Sequence, residues 1–156
     1  MVDKSAIGVT FMPTRAQVEA GRLRYFFETL RERNPVYRDA AAAKAAGYAG
    51  VPIPPTYLFC LEMMDSEKPF EVIEKLNIDL ARVLHGEQRF DYLAPIMVGD
   101  TLTFDSRVAD VVDKKGGALT FVSVATKVTN QHGQHGADTL RSIVVRNSEL
   151  PDGLEF

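Results

Sequence analysis

The feature that most constrains the fold of this chain is a change of sequence pattern near residue 83. Before it, apolar residues recur at helical spacing, and after it, β-branched and aromatic residues alternate with polar ones at period two. Turn-forming segments at 114–117 and 130–136 divide the second half into strands, which include Leu102 to Val111, Thr120 to Val128 and Thr139 to Val145. Helices followed by an antiparallel meander predict an α+β fold in which one long helix packs against a sheet.

The first half of the chain is expected to be helical. Thr14-Arg15-Ala16-Gln17 has the spacing of a capping box, which predicts the start of an amphipathic helix that ends before Asn34-Pro35. Shorter helices are predicted from Asp39 to Ala46 and after Pro69. Between them, the segment Thr56 to Asp65 has apolar residues around nearly its whole circumference, as is typical of a helix buried on most sides. We therefore expect this segment to be the central helix.

Length and composition exclude several classes of protein. At 156 residues, of which 46% are hydrophobic, the chain predicts a single domain over residues 1–156. The formal net charge of −3 and the interspersed acids and bases provide no basic surface, so nucleic acid is not expected as a partner. The single Cys60 cannot form an intrachain disulfide, and no segment has the composition of a membrane span or an export signal. We expect a cytoplasmic protein that does not bind membranes.

Several motifs occur in a defined order along the chain. They are Asn34-Pro35 after a helix, the proline-rich segment 52–56 (PIPPT) at the entry to the buried helix, and the later segments 84–90 (LHGEQRF) and 95–102 (PIMVGDTL). In this combination, roughly residues 8 to 147 resemble the MaoC-like hot-dog family, and more narrowly its N-terminal, fatty-acid-synthase-type dehydratase branch. The resemblance implies a hot-dog fold, in which an antiparallel β-sheet wraps around a long central helix. It also implies a homodimer, or a heterodimer with another hot-dog subunit, with the acyl tunnel at the shared interface.

The same resemblance implies a reaction and the residues that carry it. Active members of the family hydrate or dehydrate an acyl chain held as a thioester on CoA or acyl carrier protein, without a cofactor, and use an Asp and a His spaced around the Asn-Pro pair. One group must take a proton from water while another moves a proton at the carbon beside the carbonyl. In this chain the Asp position of the pattern holds Glu32, and the His position holds Tyr37. These two residues are the first candidates for catalysis.

Both exchanges weaken the expected chemistry. Glu32 keeps a carboxylate but displaces it by one methylene, and Tyr37 offers a phenol whose reference pKa of about 10 makes it a poor base near neutral pH. The alternative interpretation is that Glu32 is a solvated acid at a helix end and that Tyr37 packs against the sheet. The sequence leaves both interpretations open.

The candidate substrate-binding residues are Asn34, Pro55, Thr56 and Tyr57. In the resemblance, the segment before the buried helix supplies the backbone amides that receive the thioester carbonyl. A helix N-terminus presents free N–H groups and a partial positive charge, so the Thr56 N–H is a suitable donor. Thr56 is alternatively, or in addition, the N-cap of the helix.

His85 is a third catalytic candidate. Strict alternation along its strand places His85 on one face with Glu87, Arg89 and Asp91, and places Gly86, Gln88, Phe90 and Tyr92 on the other face. A histidine close to two acids could act as a general base, and the alternative is a structural or interface histidine. His132 and His135 lie in a glycine-containing turn without further ligands nearby, so no metal site is expected.

The sequence therefore predicts an acyl-thioester-binding hot-dog protein related to (R)-specific enoyl-CoA hydratases and 3-hydroxyacyl-thioester dehydratases. The alternative is a non-catalytic subunit that binds substrate and pairs with a separate, catalytically complete MaoC-like subunit. A third reading is a hot-dog thioesterase, for which Glu62 is the candidate carboxylate near the central helix. The length of the acyl tunnel is expected to depend on packing around Tyr57, Phe59 and Met63.

Overall fold

The structure is a computed structural model that describes residues 2–147. The helices are α1 (Ala20–Leu30), α2 (Ala40–Ala45), α3 (Tyr57–Met64) and α4 (Glu71–Lys75), and the strands are β1 (Thr14–Gln17), β2 (Val83–Tyr92), β3 (Thr101–Lys114), β4 (Leu119–Thr129) and β5 (His135–Arg146). Single 3-10 turns lie at Lys4–Ala6, Pro35–Tyr37, Leu80–Arg82 and Lys115–Gly117. Within the described chain, no helix is long and apolar enough to cross a membrane.

The five strands form one antiparallel sheet in the order β1-β3-β4-β5-β2. The predicted meander is its centre, because β3, β4 and β5 are consecutive in sequence and adjacent in space. The strands β1 and β2 lie at the two edges, so the outer edge of β2 has no strand beside it within residues 2–147.

Helix α3 packs against one face of the sheet, which we call the inner face. Leu58 and Leu61 of α3 are fully buried against apolar residues of that face, including Phe104 and Val128. A second apolar cluster covers the other end of the sheet, with Val122 and Val124 among its members. The α+β class and the sheet around a helix are confirmed, although α3 has only eight residues and is not a long helix.

The capping-box prediction at Thr14–Gln17 was wrong, because these four residues form strand β1. They pair in antiparallel register with Thr101–Phe104 of β3, which engages the backbone groups that a helix start would have left free. Helix α1 begins six residues later, at Ala20, after Glu19, whose side chain forms no cap. Its predicted end agrees with the structure, since the helix stops at Leu30 and Arg31 takes the left-handed conformation.

Strand β2 does not alternate strictly, because it contains a bulge at Gly86. His85 pairs with Ile143, whereas Glu87 already pairs with Ser142, so one extra residue shifts every later side chain to the opposite face. The predicted grouping of His85 with Glu87 was therefore wrong, and His85 shares the inner face with Gln88, the partner of Arg141. The bulge favours glycine, since a Cβ there would lie 2.7 Å from Cγ2 of Val144, and one of the two would have to shift.

Candidate functional site

The largest cleft near the predicted site has a volume of about 410 Å³ and lies where β2 ends. Its walls are residues 92–96, the proline-rich segment around Pro52 and Pro55, and the rings of Tyr37 and Tyr48. The proline-rich segment is held by backbone hydrogen bonds, because Ile53 N–H donates to the Ile96 carbonyl at 3.0 Å and Val98 N–H donates to the Val51 carbonyl at 2.9 Å. The cleft is thus built on a fixed loop.

Tyr92 holds the last residue of the loop in place. Its hydroxyl donates a 2.8 Å hydrogen bond to the carbonyl of Pro55, immediately before α3. Burial, with a smaller contribution from nearby Tyr37, raises the pKa of Tyr92 far above its ordinary value. The phenol is therefore neutral and remains a donor over the physiological pH range.

Thr56 occupies the N-cap position of α3, next to the cleft residue Pro55. Its side chain makes no capping hydrogen bond, and the first helical amide, Tyr57 N–H, donates to the Pro54 carbonyl at 3.0 Å. The described residues place no backbone acceptor on the Thr56 N–H. A free N–H at a helix N-terminus is suited to donate a hydrogen bond to a carbonyl oxygen.

The carboxylate of Glu32 binds its own loop. Oε1 accepts hydrogen bonds from the backbone N–H groups of Arg33 at 2.8 Å and Asn34 at 2.7 Å. The Glu32 carbonyl in turn accepts from Nε and Nη2 of Arg38, at 3.1 and 2.7 Å. Glu32 therefore connects the end of α1 to the following turn and does not line the cleft.

Tyr37 reaches the cleft, and Asn34 shapes the turn that carries it. The ring of Tyr37 stacks on Phe27 of α1, with centroids 5.3 Å apart, and Tyr37 lines the cleft. Asn34 Oδ1 accepts from Val36 N–H at 3.1 Å, and the Asn34 carbonyl accepts from Tyr37 N–H at 3.2 Å. The side chain of Asn34 thus caps the 3-10 turn at Pro35–Tyr37.

Two other predicted site residues lie away from the cleft. His85 stacks on Phe59 of α3, with ring centroids 5.1 Å apart, and lines a separate cavity of about 180 Å³ near the start of β2. The side chain of Tyr57 is 1% exposed and packs on Phe26, so it belongs to the core and does not line the cleft. Burial raises the pKa of Tyr57.

The structure also identifies residues that sequence reasoning missed. Tyr48 and Tyr92 line the cleft. No sequence pattern indicated Tyr48, whereas alternation along β2 placed Tyr92 on the face opposite the charged residues of that strand. No Asp, Glu or His is among the described residues that line the cleft. The polar side chains of its described walls are therefore phenols, which can donate a hydrogen bond to a carbonyl group but do not supply a base at neutral pH.

Glu62, the candidate carboxylate of the thioesterase hypothesis, lies on the side of α3 that faces the sheet. Its side chain is 8% exposed, and Oε1 accepts from Ser106 Oγ and Thr126 Oγ1, both at 3.2 Å. It contributes to a small cavity distinct from the cleft.

Comparisons with known proteins agree with this geometry. The family model described as "FAS1-like, dehydratase domain region" matches residues 5–139. A UPF0336 protein of Saccharopolyspora erythraea is 35% identical over 154 residues, which cover 97% of each chain, and one of Streptomyces avermitilis is 34% identical over 151 residues, which cover 95% of this chain and 97% of the relative.

Among solved structures, the complex of ChsH1 and ChsH2 from Mycobacterium tuberculosis includes a chain with a TM-score of 0.74 and 25% identity, covering 97% of this chain and 93% of that one. The C-terminally truncated HadBC (3R-hydroxyacyl-ACP dehydratase) complex from the same organism includes a chain with a TM-score of 0.77 and 18% identity. The match covers 89% of this chain and 96% of that one. The chain belongs to the FAS1-like dehydratase-region family of hot-dog proteins, a branch of the dehydratase and hydratase superfamily that includes the UPF0336 proteins.

Proposed function

We propose that this protein is the acyl-thioester-binding subunit of a heteromeric hydratase or dehydratase, and that a separate hot-dog subunit supplies the proton-transfer residues. The observation that carries the proposal is the position of the Glu32 carboxylate, which is engaged by two amides of its own loop. A general base must reach the proton that it abstracts. Glu32 is not among the described residues that line the cleft, and a phenol such as that of Tyr37 is a weak base near neutral pH.

The cleft supports binding of a thioester. One wall is a loop held by two backbone hydrogen bonds, and the Thr56 N–H belongs to the residue after Pro55, a cleft residue whose carbonyl accepts from the Tyr92 hydroxyl. A thioester carbonyl is a neutral acceptor that a free amide and a helix N-terminus stabilise. CoA and acyl carrier protein both present such a group, and both are candidate carriers of the acyl chain.

The edge of β2 supports a partner of the same fold. Strand β2 is ten residues long, and its backbone groups that point away from β5 face no other strand within residues 2–147; such an edge is a template for another strand. Two structural neighbours, the HadBC complex and the complex of ChsH1 and ChsH2, are assemblies of different named components. A heterodimer through β2 is the arrangement that we favour, and a homodimer through the same edge is the alternative.

The test is reconstitution with a MaoC-like subunit from the same genome whose sequence has the Asp and His. Hydration of crotonyl-CoA and of longer enoyl-CoA thioesters is measured for each subunit alone and for the co-expressed pair. We expect no hydration by this chain alone and a higher rate for the pair than for the partner alone. Acyl-CoA binding by this chain alone is measured by the shift in its thermal unfolding.

Two variants separate the proposal from the alternative of a hydratase that acts alone. Replacing the catalytic Asp of the partner should abolish hydration by the pair, whereas Glu32→Gln in this chain should leave it nearly unchanged. Hydration by this chain alone that is lost in Glu32→Gln would reject the proposal. The alternative is considered because Tyr37 lines the cleft and Glu32 lies in the same loop.

A further inference from the structure

The cleft at the end of β2 combines phenol groups with apolar walls. Tyr37, Tyr48 and Tyr92 are its polar side chains, and its other described walls are prolines, isoleucines, an alanine and a leucine. No Lys or Arg is among the described residues that line it. A charged group that leaves water without a charged partner is strongly destabilised, so these walls favour an uncharged ligand. A phenol is neutral near physiological pH and has one proton to donate, so it suits a neutral acceptor.

Two of the three phenol hydroxyls are free to donate to such a ligand. Tyr92 uses its single hydroxyl proton in the 2.8 Å hydrogen bond to the Pro55 carbonyl. Tyr92 is also the only tyrosine whose hydroxyl forms a hydrogen bond within residues 2–147. The hydroxyls of Tyr37 and Tyr48 are therefore without an acceptor in the described chain, and both residues are half-buried where they line the cleft.

The position of Tyr37 is fixed by its ring and by its turn. The ring stacks on Phe27, with centroids 5.3 Å apart. The turn is joined to α2, because Asp39 N–H donates to the Pro35 carbonyl at 2.9 Å, and Asp39 Oδ1 caps the helix by accepting from Ala42 N–H at 2.7 Å. A side chain held in this way before a ligand arrives loses little conformational freedom on binding.

The position of Tyr48 is fixed by the end of α2, which forms a Schellman motif. Gly47 takes the left-handed conformation that the motif requires, with a φ of 92°. Its N–H donates to the Lys44 carbonyl, and Tyr48 N–H donates to the Ala43 carbonyl, both at 3.0 Å. Both free phenols are thus carried by one continuous segment, residues 35–48, whose turn, helix and C-terminal cap are hydrogen-bonded to each other.

We propose that the hydroxyls of Tyr37 and Tyr48 form a pair of donors that bind a neutral carbonyl oxygen of the acyl-thioester ligand. This role of the cleft rests on the proposed function, because it concerns the same ligand. A carbonyl oxygen has two lone pairs and accepts two hydrogen bonds. Tyr37 then contacts the ligand as a donor and not as a base, which is the chemistry that a phenol supplies near neutral pH.

Two groups of the ligand have the required chemistry. One is the thioester carbonyl, and the other is an amide carbonyl of the pantetheine arm that CoA and acyl carrier protein share. Both are uncharged acceptors on a flexible chain that is apolar on either side. The cleft volume of about 410 Å³ lies within the usual range of small-molecule sites, so it can hold either segment of the ligand.

Three uncharged probes separate these two sources of the carbonyl. Butyryl-N-acetylcysteamine has both the thioester and the amide carbonyl, S-butyl-N-acetylcysteamine lacks the first, and S-pentyl thiobutyrate lacks the second. Binding to the full chain is measured by NMR titration. We expect removal of the recognised carbonyl to weaken binding at least tenfold, a difference of about 1.4 kcal/mol. Losses below tenfold for both removals, or no detectable binding of any probe, would overturn the proposal.

Variants test the two hydroxyls. Tyr37→Phe and Tyr48→Phe each remove one of the two donors and should reduce the tenfold difference to about threefold. Tyr25→Phe, at a 75% exposed position of α1, is the matched control and should retain the full difference. Thermal unfolding checks that all three variants are folded. A folded cleft variant that keeps the tenfold difference would exclude its hydroxyl and overturn the paired arrangement.

The same measurements distinguish failure of this proposal from failure of the proposed function. Acyl-CoA binding without dependence on a carbonyl rejects the donor pair alone. Carbonyl-dependent binding of the probes, without any gain of hydration in the reconstituted complex, rejects the proposed function alone.

Discussion

The most direct test of the site concerns Glu32, whose role is structural in this arrangement and catalytic in the alternative. Oε1 of its carboxylate accepts hydrogen bonds from two backbone N–H groups, at 2.8 and 2.7 Å; Glu32 is half-buried, and the donor residues Arg33 and Asn34 are exposed. Removing a side-chain cap of this kind costs about 0.5–2 kcal/mol, and a charged acceptor places the cost in the upper part of that range. Glu32→Ala should therefore lower the free energy of unfolding by about 1–2 kcal/mol, or about 2–8 °C in melting temperature.

Glu32→Gln separates the two roles. The amide oxygen of Gln still accepts from Arg33 and Asn34, so this variant should lose less than about 1 kcal/mol of stability. If Glu32 were the general base, the same change would reduce hydration by about 10²–10⁴-fold without lowering the melting temperature. If the role of Glu32 is structural, we expect the reconstituted complex to keep its rate within about fivefold, which corresponds to about 1 kcal/mol in the barrier.

The measurement combines thermal unfolding at one protein concentration with hydration of crotonyl-CoA by the complex. Glu74→Ala and Glu74→Gln, at an exposed position of α4, are the matched controls for loss of a carboxylate elsewhere. A Glu32→Gln variant that is fully stable but inactive would refute the reasoning. A Glu32→Ala variant as stable as the Glu74→Ala control would also refute it.

Three further predictions concern Tyr92, Tyr57 and Gly86. Burial raises the pKa of Tyr92, so above about pH 10 the folded state keeps a proton that the unfolded state loses, and the free energy of unfolding should fall with pH. Tyr92→Phe should make that fall smaller in denaturant unfolding series, and an unchanged pH dependence would contradict the assignment. Tyr57→Phe removes a buried hydroxyl without a partner in the described structure and should raise the free energy of unfolding by about 1 kcal/mol. A lower free energy of unfolding would indicate that the hydroxyl donates to an acceptor. Gly86→Ala should cost about 1–3 kcal/mol because of the contact with Val144, and Val144→Ala should restore part of it; additive losses would exclude that contact.

Much of the fold could be predicted because its signals are local. The alternation in β3, β4 and β5 and the apolar circumference of α3 appear in any short window of the sequence, and their bounds agree with the structure to within a few residues. Strand β1 could not be found in this way. Only one of its four residues is buried, and what makes it a strand is its pairing with β3, about 85 residues later in the chain.

The candidate site shows the same division. The motifs around Asn34 and Thr56 identify the segments that form the cleft and carry the resemblance to dehydratases. They do not say where a side chain points. The Glu32 carboxylate binds its own loop, the bulge at Gly86 turns His85 to the inner face, and Tyr57 is enclosed in the core.

The sequence by itself determined the class of the fold, the family and the chemical groups available, because periodicity, turn residues and motif order are properties of neighbouring residues. Only the tertiary structure decided which groups share a cavity, since that depends on strand register and on contacts between distant segments. It brought Tyr37, Pro55 and Tyr92 to one cleft, left that cleft without a carboxylate or imidazole among its described walls, and placed the Glu62 carboxylate within hydrogen-bonding distance of Thr126.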